Sequence, residues 1–251
     1  MKYIITILIF FSFQTIGRES GQTEITTDDG IEVFNKEKYY LLKTNVKIIS
    51  DEYELNADLV KAYFNKDLYD ITRMSSDGNV TLNSSRGIKA SGEKIDFNLI
   101  NEDLQIFGKN SLFINNELNM ISDKEIKINN TTGNFKINGP NSRLNSDTID
   151  ITGYLIKGKF SQIENINEVE LLYVEDKTQI NIKTKTLDMY ALRADYNKKI
   201  NIIELFDNVI IFRENESIVG DYAKINTLTE SYKVTSKESG KVKALLDKKN
   251  E

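Results

Sequence analysis

The sequence predicts an all-β chain laid down as a long meander, and three observations carry that expectation. Apolar residues recur two apart with a polar residue between them, turn formers separate these pairs at short, even intervals, and one hairpin-like unit returns along the chain. The unit is clearest over residues 78–97, where Val80 and Leu82, Ile88 and Ala90, and Ile95 and Phe97 alternate behind Gly78-Asn79 and around Gly92-Glu93. That is the period of a strand with one dry and one wet face. Its outline returns as Asn45-Val46-Lys47-Ile48 with Leu55-Asn56-Ala57-Asp58-Leu59, and again as Asp207-Asn208-Val209-Ile210-Ile211 with Ile218-Val219-Gly220-Asp221-Tyr222. The spacing recurs with the letters: Val46 to Ala57 is 11 positions, Val80 to Ala90 is 10 and Val209 to Gly220 is 11. A unit that cannot bury its own apolar face must stack on copies of itself. The fold class is therefore a meander folded into a sandwich, a jelly roll or a solenoid.

Taken in order, the chain opens with Lys2 and the apolar run Tyr3-Ile4-Ile5-Thr6-Ile7-Leu8-Ile9-Phe10-Phe11, which fades into the polar Arg18-Glu19-Ser20. A basic start, a short apolar centre and small residues near Thr15 and Gly17 match a secretory signal peptide over residues 1–17. The run is too short to span a bilayer comfortably, which needs about 20 apolar residues, and an uncleaved anchor is the weaker reading. No Cys follows it, which excludes a lipoprotein. Residues 18–30 read as a flexible leader ending in Asp28-Asp29-Gly30. Strands begin with Ile31-Glu32-Val33-Phe34. At residues 57–66 helical spacing competes with alternation, and the repeat favours the strand.

From Asp70 to Ile151 the pairs follow one another almost without a break, beginning with Ile71 and Arg73. After Val80 to Phe97 come Leu104 and Ile106, Leu112 and Ile114, Leu118 and Met120, Ile126 and Ile128, Phe135 and Ile137, and Ile149 and Ile151. Asp77-Gly78, Asn101-Glu102-Asp103, Asn115-Asn116 and Thr132-Gly133-Asn134 supply turns between them. A break at Pro140 to Gly153 divides the chain into halves 31–145 and 146–246. Within the second half, residues 160–168 are irregular and fit a loop or a short helix. The charged residues 247–251 read as a disordered tail.

Composition excludes several functions. A net charge of -5 with acids and bases interleaved offers no field for a phosphate backbone, so nucleic acid is not an expected partner. With no Cys and no His the chain lacks thiolate sites, the commonest general base and the commonest zinc ligand. Ser91-Gly92-Glu93-Lys94 matches a Ser-x-x-Lys nucleophile motif, but that motif needs a helical turn and this segment alternates as a strand. The acidic pairs Asp28-Asp29, Asp51-Glu52 and Glu102-Asp103 fall in turns without ligand spacing and read as solvated. No cofactor is expected.

The Asn-Val strand, the small residue followed by Asp or Glu and an apolar pair, and the closing Ser239-Gly240-Lys241-Val242-Lys243-Ala244-Leu245-Leu246 together resemble the OstA-like family over roughly residues 30–246. Proteins of that family transport lipopolysaccharide in the periplasm of Gram-negative bacteria. The resemblance implies an open β-jellyroll that holds acyl chains between two sheet faces and is not an enzyme. It also implies head-to-tail joining, through edge strands, to further copies of the chain and to OstA-like components of the inner- and outer-membrane transport complexes. The bottom-up reading supplies a matching surface: Val46, Ile48, Leu55, Val80, Leu82, Ile88, Ile95, Phe97, Ile106, Ile114, Met120 and Ile128 fall on one strand face. For any one of them packing is the commoner role. The edge candidates Ile31 to Phe34, Tyr232 to Val234 and Val242 to Leu245 carry no Pro and suit strand addition, although flanking Lys36, Lys38, Lys241 and Lys243 suit protection of an edge equally well. Two other classes stay open: a structural β-solenoid or adhesin without ligand, and a polysaccharide-active β enzyme, for which no acidic pair stands out.

Overall fold

In a computed structural model the described residues are 18–66, 70–115, 118–163, 166–214, 216–237 and 240–246; the expected signal peptide and charged tail lie outside them. Twenty strands form one sheet in which every pairing is antiparallel. They are β1 Glu24–Thr26, β2 Ile31–Phe34, β3 Tyr39–Ile49, β4 Tyr53–Phe64, β5 Ile71–Ser84, β6 Ile88–Asn98, β7 Asp103–Phe107, β8 Ser111–Asn115, β9 Leu118–Ser122 and β10 Glu125–Asn129. The remainder are β11 Asn134–Asn138, β12 Arg143–Asn145, β13 Asp150–Thr152, β14 Leu155–Ile163, β15 Ile166–Lys183, β16 Asp188–Asn197, β17 Ile202–Arg213, β18 Glu216–Asn226, β19 Ser231–Thr235 and β20 Lys243–Leu246.

The sheet is creased along its whole length. One layer pairs in the order β2, β3, β4, β5, β6, β7, β10, β11, β14, β15, β16, β17, β18, β19. The other pairs as β1, β3, β4, β5, β6, β8, β9, β12, β13, β15, β16, β17, β18, β20. The long strands β3 to β6 and β15 to β18 serve both layers, one half in each. Between them, β7 and β8, β9 and β10, β11 and β12, and β13 and β14 are equivalent strands broken by a turn at the crease. This is the β-jellyroll architecture, a meander doubled over on itself.

The crease is written in the repeated letters. Where β3, β5 and β17 cross it, two consecutive residues adopt left-handed backbone: Thr44 and Asn45, Gly78 and Asn79, Asp207 and Asn208. In each case they oppose a single acidic residue on the next strand, Asp58, Glu93 or Asp221, and the register shifts there. Two residues against one is a bulge, which bends the strand and tightens its twist. Five of the six are Asn, Asp or Gly, the residues that tolerate this conformation, and Thr44 is the exception. The acids then accept from the crossing: Asn79 Nδ2 donates to Asp58 Oδ2 at 3.0 Å, the Lys109 amide to Glu93 Oε1 at 3.1 Å and the Lys237 amide to Asp221 Oδ2 at 2.8 Å. Asp123 takes the Asn110 amide at 3.0 Å and Asn141 Nδ2 at 2.6 Å, and these bonds hold its carboxyl below the usual range. Small residues face the crease because the layers meet there. A Cβ on Gly92 would fall 2.7 Å from Ile106 Cγ2.

Three expectations are corrected. Residues 18–30 are anchored, since β1 pairs with residues 47–49 and Asp51 accepts from the Gly21 amide at 2.6 Å, from Arg18 and from Ser20 Oγ at 3.1 Å. The Gly21 bond, then those from Arg18 and Ser20, lower the Asp51 pKa. Residues 160–168 are strand, carried by β14 and β15 on either side of residues 164–165, which lie outside the description. An irregularity between Lys159 and Phe160 breaks the period there without breaking the sheet. In the middle repeat the 10-residue interval is not a pairing: Val80 lies opposite Gly92, and Ala90 faces Leu82. Finally, Phe113 is buried and Ile114 half-buried on the opposite face of β8, so the inward residue of that strand is one position earlier than expected. In the flanking repeats the 11-residue intervals are pairings: Val46 faces Ala57 and Val209 faces Gly220.

These faces give a stability test by urea unfolding. Phe113→Ala is expected to cost about 3–5 kcal/mol through lost burial and the cavity it leaves, whereas Ile114→Ala should cost about 1 kcal/mol or less. Equal losses would contradict the register.

Candidate functional site

Because opposed residues of an antiparallel pair share a face, each layer turns a continuous apolar row toward the other. In the layer that ends in β20 the row runs Ile48, Leu55, Leu82, Ala90, Phe113, Met120, Leu144, Ile151, Ile182, Met189, Ile211. In the other layer it runs Ile95, Ile106, Ile126, Ile137, Ile156, Val174, Ala194, Leu205, Ala223. Every residue in both rows is buried. The result is a dry interlayer seam.

Of the twelve residues singled out from the sequence, Val46, Ile48, Leu55, Val80, Leu82, Ile95, Ile106, Met120 and Ile128 are buried in this seam. Ile88 and Phe97 pack against it while half-exposed. Ile114 points the other way, as described above. All twelve lie in the first half, yet the seam continues unbroken through Ile156, Ile182, Leu205 and Ile225. The same alternation marked those residues in the sequence, and nothing in it distinguished the two halves.

Opposite the crease the layers end in rows of turns that form a mouth. Among the described residues two ion pairs cross it: Arg86 Nη1 to Glu102 Oε1 at 4.0 Å in the first half and Arg213 Nη2 to Glu230 Oε2 at 3.9 Å near the far end. Beside the first pair lies a space of about 110 Å³ lined by Tyr53, Leu82, Ile88, Phe97, Leu99 and Leu104. Beside the second, between residues 146–149 and 184–189 of one layer and residues 168–169, 196–203 and 225–230 of the other, it widens to about 390 Å³.

Ser91 and Lys94 lie on the extended β6, not on a helical turn. Among the described residues no group of three or more His, Cys, Asp or Glu is placed to hold a metal ion. Of the acidic pairs, Asp28-Asp29 and Asp51-Glu52 are exposed, as expected, and Glu102-Asp103 is half-buried; members of them also hold turns, with Asn45 Nδ2 donating to Asp28 Oδ2 at 2.5 Å, Thr44 Oγ1 to Asp29 Oδ2 at 2.6 Å and Asn129 Nδ2 to Asp103 Oδ1 at 2.6 Å.

Among solved structures, LptH of Pseudomonas aeruginosa, described as the LptA-homologous periplasmic component of the lipopolysaccharide transport device, aligns with 90% of this chain and 96% of its own at 8% identity. The TM-score is 0.24, too low for the likeness to add to the fold described above. No curated protein matches the chain. The family described as "LptA/(LptD N-terminal domain) LPS transport protein" matches residues 24–134 and, in a second overlapping pass, residues 119–231. Those two passes take in nearly all of the creased sheet, and the chain belongs to this family of lipopolysaccharide-transport proteins.

Proposed function

We propose that the chain is a periplasmic, non-enzymatic carrier that keeps the acyl chains of lipopolysaccharide dry between its two layers. We propose further that it joins other copies of itself, and OstA-like partners in the inner- and outer-membrane complexes, end to end. The observation that carries the reading is that the apolar seam is closed by covalent geometry only at the crease. At the mouth and at both ends it meets solvent, with Ile31 and Val33 at one end and Leu245 and Leu246 at the other exposed by 45% or more. Burial of a methylene is worth about 0.8 kcal/mol, so a twelve-carbon chain exposed to water costs on the order of 10 kcal/mol. An open-ended seam removes that cost along its whole length, provided the layers part about the crease.

The end strands favour extension of the sheet. Among the described residues nothing pairs with the outer edges of β1, β2, β19 or β20. Since every pairing is antiparallel, β2 and β19, as first and last strands of their layer, run in opposite directions, as do β1 and β20 of the other. A second copy translated along the sheet therefore continues the antiparallel order in both layers at once. With Glu32 set opposite Lys233, Ile31 falls opposite Val234 and Val33 opposite Tyr232, which joins apolar to apolar on the inner face and acid to base on the outer.

Two outcomes are expected. A photo-crosslinker at Phe97 in the intact cell captures lipopolysaccharide while one at Asp96, on the outer face, does not; capture at neither, or equally at both, would speak against a lipid seam. In sedimentation velocity, Lys233→Glu weakens end-to-end association by roughly fivefold or less, as one opposed charge pair is worth about 0.2–1 kcal/mol, and Glu32→Lys in the same chain restores it. Restoration failing would rule out this register.

A further inference from the structure

Two rows of turns, one from each layer, form the lips of the mouth, and in the layer that ends in β19 the turns repeat a single form. Asn98, Asn129, Asn197 and Asn226 each accept a turn amide at Oδ1, from Ile100 at 3.0 Å, Thr132 at 2.6 Å, Lys199 at 3.0 Å and Leu228 at 2.9 Å. Four positions on, the backbone is left-handed in each of these turns, at Glu102, Gly133, Asn201 and Glu230. Gly and Asn take that conformation readily and Glu does not. Those two glutamates are the ones whose side chains cross the mouth, to Arg86 and Arg213. The arginines are matched as well. Arg86 lies in the turn between β5 and β6, Arg213 ends β17 at the turn into β18, and β5 corresponds to β17 by the left-handed pairs Gly78-Asn79 and Asp207-Asn208. Each half therefore sets a cation on the lip of the β20 layer against an anion on the lip of the β19 layer, at the same point of the repeat. A turn that had only to close its hairpin would be better served by Gly or Asn, as at Gly133 and Asn201, so the disfavoured backbone at Glu102 and Glu230 points to a role for their side chains.

We propose that the two pairs are a matched latch that holds the lips together in the empty protein and releases as the layers part about the crease. The proposal rests on the reading that the layers part to take in a guest, and adds what sets the closed state. An exposed ion pair favours the state that contains it by about 1.4- to 5-fold, so two of them favour the closed mouth by about 2- to 30-fold. That margin is small beside the burial of an acyl chain, so the latch sets how often the empty mouth opens without preventing it from filling. From β6 to β18 the layer spans roughly 40 Å, several Debye lengths at physiological salt, so the two pairs are coupled through the sheet and not through their charges. Side-chain exposures of 72% and 42% in the first pair and 43% and 49% in the second leave both open to dissolved ions. Salt therefore loosens the mouth and leaves the hydrogen-bonded crease as it is.

The test reads the lips directly. With no native Cys, spin labels are placed across the mouth at Glu52 and Lys66 in the first half and at Lys185 and Lys199 in the second, none of them a latch residue. In lipid-free protein, Glu102→Gln with Glu230→Gln is expected to shift both distance distributions outward. Salt at about 0.5 M is expected to do the same to the unchanged chain and to add nothing in the Gln variant. Exchanging Arg86→Glu with Glu102→Arg, and Arg213→Glu with Glu230→Arg, keeps each pair and reverses its sense; the closed distances are expected to return. On mixing with purified lipopolysaccharide, a photo-crosslinker at Phe97 is expected to capture lipid several-fold faster in the Gln variant. Distances and capture rates that neither the Gln substitutions nor salt alter would overturn the latch and leave the lipid seam standing. Opening that the exchange does not reverse would overturn it too, because the effect would then belong to the turn and not to the charges. Lips that part in the Gln variant, with no lipopolysaccharide captured at Phe97 in any chain, would uphold the latch and overturn the seam.

Discussion

The fold depends on the chain turning a corner in the middle of a strand, again and again, along one line. A strand in regular extended conformation cannot do this without losing its ladder. Here the bend is made by two left-handed residues opposed to one acid, and the acid accepts a hydrogen bond from a neighbouring crossing in several repeats. The bulge supplies the angle and the carboxylate ties its strand to the neighbouring crossing, through the Asn79 side chain or the Lys109 and Lys237 amides. Once the line is set, period-two alternation does the rest, because a creased strand that alternates presents its apolar residues to the inside of both layers.

That division of labour explains what was legible in the sequence. Alternation is local, so the all-β class and most strands could be read directly, and the recurring Asn-Val and Gly-Asp letters turned out to be the crossings. Pairing across the crease is not local. Ala90 and Gly92 are both small residues on one strand, and only the extra residue of the bulge at Gly78-Asn79 decides that Gly92 meets Val80. On β8 the run Leu112-Phe113-Ile114 is apolar throughout, so alternation is silent and the neighbours Ala90 and Met120 select Phe113. The leader looked flexible because its anchor, Asp51, lies some thirty residues away. The size of the mouth was beyond reach altogether, since it is set by how two distant rows of turns face each other.

On the proposed carrier reading the molecule occupies an intermediate position between a packed sandwich and a channel. Its seam is filled by its own side chains along most of its length, so a guest has to displace layer-on-layer contacts. The crease, hydrogen-bonded along its length, holds the two layers together while they do so. Covalent continuity at the crease and its absence at the mouth would make any parting of the layers a hinge motion, in which the ladders within each layer are kept. Ladders that remain intact also leave the end strands in register for addition of the next copy, so filling and assembly draw on the same geometry without competing for the same hydrogen bonds.

The measurement that bears most directly on this account is the distance between the two rows of turns with and without lipid. The chain has no Cys, so spin labels can be placed on introduced pairs without background. Labels at Lys185 and Lys199 report across the mouth, and labels at Lys109 and Lys177 report along the crease. On addition of lipopolysaccharide the first distance is expected to lengthen and the second to stay fixed. A mouth distance that does not change when lipid is bound would contradict a seam that opens about the crease.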